Sequence, residues 1–590
     1  MREAPLVSRG SSGVSAMPDE RSSGTSTAAW RPRPLRIGLL TNTMEQPQWA
    51  IDALRQIEAA GCGRIELVIM PETPPQPSTS RVKSIIKNRE YLLYHLYNRL
   101  DAKRFRKEPD PFTPGSIASL VKDVDVVRLR PRMTQHCDYF EDPDVERILA
   151  YDLDVAIRFG FRILKGRALE IARFGVWSYH HGDNLVNRGG PPGFWEVMEG
   201  TPVTGSILQI LTEKLDGGQV LYRSWASTDQ LSVVRNQANF YRKTSTFLAR
   251  KLCELHREGP AALEDRSGVA RGFVPYTQRL YTQPKNAEML RLLSRLAGRF
   301  VRLKLDRLKS VEQWSLAYLI DRSHEDGASP VPPALYRSTL LAPPKGAFWA
   351  DPFVVRRGDR YYVFFEEWLD EAGKAHISCI EIDAKGKASP PRKVLECDYH
   401  LSYPFTFEWQ GTQYMIPETG DNRTVELWRA VEFPDKWELD RVLMRDIYAV
   451  DATLEEIDGR WWMFANVAPV EGASTWDELH LFYADSPLGP WRPHRRNPVK
   501  SDVRSARPAG RLIRVGNELY RPSQDCSASY GHGTVINRIT RLDLDAFEEV
   551  EVARLRANWR RDLTGMHTIN SAGGMTVVDV RLKRSRFAVR

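Results

Sequence analysis

The sequence predicts an α/β half built on a Rossmann-like parallel sheet, followed by an all-β half arranged as a five-bladed β-propeller. Three observations lead there. Apolar runs alternate with helical patterns in βαβ order between residues 36 and 180, and past Pro330 the composition turns to Trp, Tyr, Phe and Asp with Gly-containing turns. Within that second half one short motif recurs five times. Length agrees, because 590 residues exceed the ~250–300 at which a single hydrophobic core stops growing.

Taken in order, residues 1–33 are rich in Ser, Gly, Arg and Thr without an apolar period, and are expected to be a disordered leader. The α/β domain is expected over 34–262. It opens with a buried strand at 36–42, a helix at 49–60 and a second strand at 65–70, an order that calls for parallel pairing. A basic, aromatic insertion occupies 91–107. Strand, helix and strand are then expected at 154–157, 166–172 and 175–180. Residues 263–329 read as a helical linker. Its long helical pattern, 287–322, sets Leu290, Leu293, Leu296, Phe300 and Leu303 among Arg291, Arg295, Arg299, Arg302, Lys304, Arg307 and Lys309. Two roles fit such a helix: lying on anionic membrane headgroups, or packing between the two domains, which its ordinary amphipathic period favours.

The propeller is expected over 330–590. Its copies run Ala350-Asp-Pro-Phe before Gly358, Tyr403-Pro-Phe before Gly411, Val450-Asp-Ala before Gly459, Ala506-Arg-Pro-Ala before Gly516 and Met566-His-Thr before Gly573. A spacing of roughly 50–60 residues lies at the upper end of blade lengths. The start of each innermost strand faces the central channel, where ligands bind.

Composition narrows the function. At 42 % hydrophobic and 27 % charged residues the chain is neither disordered nor a membrane bundle. No apolar run approaches the ~18–20 residues of a membrane span, and the amino end carries no compact secretory segment. A cytoplasmic location is therefore expected, with peripheral attachment at the inner face of the membrane through the basic helix. The 6 cysteines lack paired spacing, which argues against a disulfide framework and against structural zinc, so no metal is expected. A net charge of +9, from 84 Lys+Arg against 75 Asp+Glu, is too modest for this length to imply nucleic acid, and none is expected as a partner.

The sharpest chemical signal in the first half is Ser178-Tyr-His180, followed by the Gly- and Pro-rich stretch from Arg188 to Trp195 and by Asp216 on the turn Leu215-Asp-Gly-Gly218. A histidine ending a parallel strand points into the crevice where open α/β sheets bind ligands. A carboxylate from a glycine-rich turn can fix its tautomer and raise its basicity. Either residue alone is more often structural; the pair, with its Gly and Pro punctuation, is a candidate catalytic site, with Arg188 beside it as a candidate substrate contact. At these residues the chain resembles the folate-dependent formyltransferases, over roughly residues 35–260. Gly160-Phe161-Arg162-Ile163-Leu164 looks like that family's loop beside the pterin. In the family an Asn-x-His pair and a distant Asp move a formyl group from 10-formyltetrahydrofolate to an amine. The resemblance places the histidine at His180, the aspartate at Asp216 and the asparagine position at Ser178, and implies 10-formyltetrahydrofolate as cofactor. Serine there removes an amide donor to the developing oxyanion, a kind of loss that typically costs ~10²–10³ in rate.

In the second half acidic groups recur at Asp351, Glu366, Glu418, Asp451 and Asp525, joined by His400, Arg521 and His567. These are candidate sugar contacts. Inverting glycoside cleavage needs two carboxylates ~6.5–9.5 Å apart; alternatively, Asp-Pro and Asp-Ala-Thr serve as turn devices closing the blades. Ala350-Asp-Pro-Phe353, His400-Leu-Ser-Tyr-Pro404, Met415-Ile-Pro-Glu418, Ala506-Arg-Pro-Ala-Gly510 and Gln524-Asp-Cys526 make this half resemble the five-bladed propeller domain of plant glucosamine inositolphosphorylceramide transferases, and more distantly the family 43 glycoside hydrolases. Coverage is roughly residues 310–580. The hydrolase resemblance implies a base at Asp351 and a tuning carboxylate at Asp451. It finds no fourth-blade glutamate acid, because Asp525 follows Arg521-Pro-Ser-Gln524 there.

Glycan binding is thus favoured over hydrolysis. The expected function is formyl transfer to an amino sugar of a surface glycan or lipid-linked glycan precursor, with the propeller holding the glycan. The rivals are a propeller enzyme that cleaves or transfers sugar beside a degenerate first half, and a non-catalytic scaffold in glycan assembly.

Overall fold

The structure, a computed structural model, describes residues 32–72, 89–263, 276–321, 329–331 and 334–586. All but the end of the expected leader lies outside them. The first half is organised by seven strands: β1 (Leu35–Leu40), β2 (Gly63–Pro71), β3 (Asp125–Leu129), β4 (Val155–Arg158), β5 (Val176–His180), β6 (Val203–Ile210) and β7 (Gln219–Ser227). They form one sheet in the order β7-β6-β5-β4-β1-β2-β3. Pairing is parallel from β5 through β3 and antiparallel for β5-β6-β7. Leu35, Ile37, Leu39 and Leu40 of β1 are all fully buried, as a strand covered on both faces requires. One face packs on α1 (Gln48–Ala60), the other on α3 (Asp142–Leu149), with α2 (Leu92–Phe105) between them in the chain as the basic, aromatic insertion. The helix expected at 166–172 is a single 3-10 turn, Gly166–Leu169, entered through a left-handed glycine (φ 62°). Four further helices follow: α4 (Phe194–Glu199), α5 (Val233–Thr244), α6 (Phe247–Glu258) and α7 (Asn286–Lys309).

The helical pattern expected to reach Arg322 stops at Lys309. Ser310–Ile320 is a strand, β8, paired antiparallel with the last strand β12 (Met575–Ser585) at every position from Ser310↔Ser585 to Ile320↔Met575. That ladder, with Leu316 and Tyr318 packed into a core cluster, outweighs any local helical preference. The all-β half therefore begins at Ser310 rather than near residue 330.

This half consists of five antiparallel sheets of four or five strands. The first three open with β9 (Ala347–Arg357), β10 (Ser402–Trp409) and β11 (Ala449–Ile457), the fourth spans Ile513–Val515 to Phe547–Leu555, and the fifth unites β8 and β12. Each sheet packs on the next. The fourth and fifth join through Ile569 N donating to Ala509 O, and the fifth returns to the first through Asn570 Nδ2 donating to Pro352 O at 2.7 Å.

The two halves share buried polar contacts. The Arg250 guanidinium of α6 meets the Glu478 carboxylate in a double hydrogen bond, 2.8 Å on each arm, and Lys243 Nζ of α5 lies 2.5 Å from Asp477 Oδ2. Ser224 and Ser501 hydroxyls bond at 2.7 Å, and Trp225 bridges to Asp502. Burial pushes the Glu478 carboxyl up, and Arg250 more than offsets that, leaving it below the usual range. Its contribution to stability is therefore full above the ordinary carboxylate pKa and is lost as the pH falls through the depressed one. Arg250→Met strands the Glu478 charge and is expected to cost about 3–5 kcal/mol, whereas Arg250→Met with Glu478→Met recovers most of it. Scanning calorimetry at neutral pH checks both; an unchanged melt for Arg250→Met would show that the pair does not hold the halves together.

Candidate functional site

Two constellations emerge, one in each half. At the carboxyl edge of the parallel strands β5 ends in His180, a buried histidine standing between two acceptors. Its Nδ1 lies 3.4 Å from Asp216 Oδ1 and its Nε2 3.2 Å from the Asn187 carbonyl. Asp216 is aimed by its backbone, which takes a left-handed turn conformation (φ 48°), and its Oδ2 accepts from Gly189 N at 3.1 Å. Asn184 Nδ2 donates to the Asp216 carbonyl at 3.1 Å. Arg188 is buried, with its Nε on the Asn184 carbonyl and its guanidinium over the Tyr276 ring at 4.6 Å. It positions the turn behind Asp216.

Ser178 Oγ accepts from Arg158 Nη1 at 3.1 Å. Arg158 closes β4, and its remaining donors reach the carbonyls of Phe161 and Arg162. Among the described residues no carboxylate forms an ion pair with it. Burial pulls its pKa down, with Asp216 and Asp138 acting against that from a distance. A half-enclosed cation without an adjacent anion is suited to receive negative charge from a ligand.

The loop Gly160–Leu164 is fixed by its own contacts. A Cβ on Gly160 would stand 2.5 Å from Asn42 N, so only glycine fits. Phe161 N donates to Asn42 Oδ1 at 2.8 Å while its ring packs on Phe140, and Arg162 clamps Asp138. Leu164 is buried in the core and Ile163 half-buried. The loop thus offers a ligand mainly backbone.

The second constellation lies where the five sheets meet. The motif positions Asp351, Tyr403 and Asp451 lie on the opening strands of the first three sheets, Arg507 and His567 in the segments leading into strands of the fourth and fifth, and all are buried. In the first three sheets the ladder skips Asp351-Pro352, Tyr403-Pro404 and Asp451-Ala452, and the leading residue of each bulge has positive φ (52°, 45° and 55°). Such backbone costs about 1 kcal/mol or more per residue and persists where the surroundings enforce it. It is repaid by partners. Asp451 takes Arg507 in two bonds, at 2.5 and 3.1 Å, and Gln524 Nε2 at 2.8 Å. Tyr403 Oη accepts from Gly510 N at 2.7 Å. His567 lies between Asp351, 3.0 Å from Nε2, and Asp579, 3.1 Å from Nδ1.

Burial pulls the His567 pKa down, but Asp579 and Asp351 overcome it and hold it at about 10. Conversely, burial raises Asp351, and His567 brings it below its usual range. Asp351, His567 and Asp579 also place ligand atoms within 4.8 Å of one another, the spacing of a metal site. A protonated imidazole has no lone pair to give, so the arrangement as built is an ion triad. Beside it is a cavity of about 180 Å³ lined by Asp351, Glu366, His400, Glu418, Arg507 and His567 together with Tyr530 and Trp314. Glu366 Oε1 lies 3.3 Å from His400 Nε2, and Glu418 Oε2 3.5 Å from Arg507 Nη2. Burial and the adjacent Asp351 push Glu366 well above the usual carboxylate range; burial and Asp451 do the same to Glu418 against the pull of Arg507. The cavity thus combines a carboxyl held below its usual range with two pushed well above it.

Of the residues singled out by sequence, the structure brings Ser178, His180, Arg188 and Asp216 together, and gathers Asp351, Glu366, His400, Glu418 and His567 round one cavity with Asp451 behind it. It does not bring Arg521 and Asp525 there. Arg521 is bound to Glu549, and Asp525 to Arg554 and Arg556, within the fourth sheet. Arg158, Arg507, Tyr530 and Asp579 escaped the sequence reading. Arg507 had a signal, since it occupies the same motif position as Asp351 and Asp451; Arg158, a lone arginine at a strand end, had none. A larger cleft of about 1510 Å³ runs between the halves, lined by Asn239, Arg307, Tyr448 and Trp476 among others, and shares Tyr530 with the smaller cavity.

Residues 317–572 match the family described as glucosamine inositolphosphorylceramide transferase 1, N-terminal. A protein named glucosamine inositolphosphorylceramide transferase 1 from Oryza sativa subsp. japonica is 36 % identical over 221 residues, which is 36 % of this chain and 30 % of that one. The chain therefore spans under a third of that relative's length. A methionyl-tRNA formyltransferase from Limosilactobacillus fermentum is 26 % identical over 149 residues, covering 25 % of this chain and 45 % of its own. Both relatives are transferases. Among solved structures, a family 117 glycoside hydrolase of Zobellia galactanivorans aligns over 47 % of this chain and 90 % of its own with TM-score 0.30 and 12 % identity. A glycinamide ribonucleotide transformylase of Symbiobacterium toebii aligns over 39 % and 86 % with TM-score 0.22 and 18 % identity.

The hub titrations carry a definite sign. His567, raised, stabilises the fold fully below about pH 6.5 and loses that contribution as the pH rises through about 10. Glu366 and Glu418, also raised, weaken the fold as the pH climbs from about 4.3 toward their folded values. Thermal melts from acid to alkaline pH should therefore fall on the alkaline side, with a shallower slope in Glu366→Gln. Asp579→Asn should lose about 3–5 kcal/mol at neutral pH. An identical slope in Glu366→Gln would contradict a neutral Glu366.

Proposed function

We propose that the chain transfers a formyl group from 10-formyltetrahydrofolate to an amino sugar of a surface glycan or glycolipid precursor. In this reading the five sheets are the blades of a propeller whose hub holds the glycan. The observation that carries the proposal is the His180–Asp216 contact at the carboxyl edge of the sheet, with Ser178 and Arg158 beside it. The loop at Gly160, shaped by Asn42 and Asp138, fits a site for a flat pterin ring read through backbone groups.

When bound, the folate supplies the formyl carbon. His180 would take the proton from the attacking amine and return it to the folate nitrogen as that nitrogen's bond to the formyl carbon breaks, while Asp216 holds the imidazole and balances its charge. Negative charge developing on the formyl oxygen falls to Ser178 Oγ and the Arg158 guanidinium, which together replace a single amide donor. The similarity to a methionyl-tRNA formyltransferase supports the donor half of this reading, and the similarity to a glycolipid transferase supports the glycan half.

A second reading rests on the hub itself. Asp351, held low, shares one cavity with Glu366 and Glu418, both pushed high, a pairing that glycoside chemistry uses, so sugar cleavage or transfer at the hub is the alternative.

His180→Ala and Asp216→Ala are each expected to lower formylation of an amino sugar by about 10²–10⁴, and Arg158→Met by about 10²–10³. Calorimetric binding of a 10-formyltetrahydrofolate analogue should survive all three. Absence of analogue binding by the native chain, or full turnover in His180→Ala, would sink the proposal. Glycosidase activity abolished by Asp351→Asn would favour the second reading.

A further inference from the structure

Helix α7 buries one face only. Met289 and Leu292 are buried and pack with Leu293 and Leu296 on Phe194 and Trp195 of α4. On the same side Arg299 donates to the carbonyls of Val197 and Met198 at 2.8 and 3.1 Å. At about 100° per residue, the opposite face carries Leu290, Val301, Leu305 and Leu308, which are 61 %, 52 %, 47 % and 59 % exposed. Arg291, Arg295, Arg302 and Lys309 run along one flank of that stripe and Lys304 along the other, all exposed. Among the described residues no carboxylate pairs with any of them.

A second helix extends the surface. Leu92, Leu96 and Leu100 of α2 lie one turn apart and stand 44 %, 53 % and 56 % exposed, with Arg99 and Lys103 beside them. The heads of the two helices are bolted together, Leu93 N donating to Asn286 Oδ1 at 3.0 Å and Asn286 Nδ2 to the Arg89 carbonyl at 2.7 Å. Seven large apolar side chains on two adjoining helices exceed the scattered exposure normal for a protein surface.

We propose that this face docks on a membrane rich in anionic lipid, with the apolar stripe among the upper acyl chains and the basic flank on the headgroups. Charge decides the occupant. A second copy of the chain would set one basic flank against another, and the acidic residues of α7, Glu288 and Asp306, already face Arg279 and Lys583 at 2.9 and 3.5 Å. Among the described residues no helix is long and apolar enough to cross a bilayer, so the contact lies in the interface plane. The inference does not depend on formyl transfer.

Co-sedimentation of the full chain with vesicles of phosphatidylcholine alone, or mixed with phosphatidylglycerol, tests it. Binding is expected only to the mixed vesicles and should weaken with added salt. Arg291→Gln, Arg295→Gln and Arg302→Gln combined should lower the partition about a hundredfold. Leu290→Ser with Leu305→Ser and Leu308→Ser should lower it as well, with an unchanged thermal melt. Failure of the native chain to bind mixed vesicles would overturn the proposal. So would equal binding by the arginine variant, or a self-associated native chain that these serine changes turn into a monomer.

Discussion

The all-β half depends on charge held without water at the point where its sheets converge. His567 and Asp579 come from the last segment of the chain and Asp351 from the first sheet, so their triad fastens the end of the half to its beginning. Asp451 and Arg507 do the same between the third and fourth sheets. Ions so buried are tolerable only when paired and hydrogen-bonded, because the desolvation of an unpaired ion exceeds any packing gain. This pairing explains why three successive sheets accept left-handed non-glycine residues at one motif position: the bulge is the geometry that turns a side chain off the sheet face and toward the axis. It also accounts for the raised acids: Asp351 beside Glu366 and Asp451 beside Glu418 oppose further negative charge there, on top of burial.

How much of this was legible in sequence depended on the range of the deciding interaction. The parallel sheet was readable because a strand covered on both faces is apolar at nearly every position, as β1 is but for Arg36. The motif repeat was readable because each copy sets a short turn-forming run ahead of a Gly turn and an apolar or aromatic strand, although the residue at the motif position itself differs. What failed was non-local. β8 follows a helix with similar apolar content, and only its ladder to β12, near the other end of the chain, makes it a strand. Arg521 and Asp525 carry charges that look identical in sequence whether they face the axis or pair inside a sheet. Their partners Glu549 and Arg554 lie on the strand two places away in that sheet and Arg556 just past its end, a placement that local pattern cannot supply.

The first half poses a different problem in the same terms. His180 and Asp216 are distant in sequence, yet a strand end and a turn residue in an uncommon conformation bring them into contact. Arg158 then matters because of what it lacks. Arg250, Lys243 and Arg507 all have a carboxylate against them, whereas Arg158 ends on carbonyls and one hydroxyl. Among the described residues Arg188, Arg299 and Arg511 share that lack of an ion-pair partner, but of these Arg158 is the one that donates to Ser178. Ser178, read alone, looks like the loss of a donor, and read with Arg158 it becomes half of a replacement.

The junction between α7 and β8 has a mechanical consequence. Lys309 ends the helix and Ser310 begins the strand with nothing between, and the splice is reinforced by Ser310 Oγ on the Asp306 carbonyl and by Arg586 N on the Lys309 carbonyl. A joint without slack transmits torque. Whatever surface the helix settles on, the axis of the five sheets inherits a set tilt and standing height above it, like a tool on a rigid arm rather than on a leash.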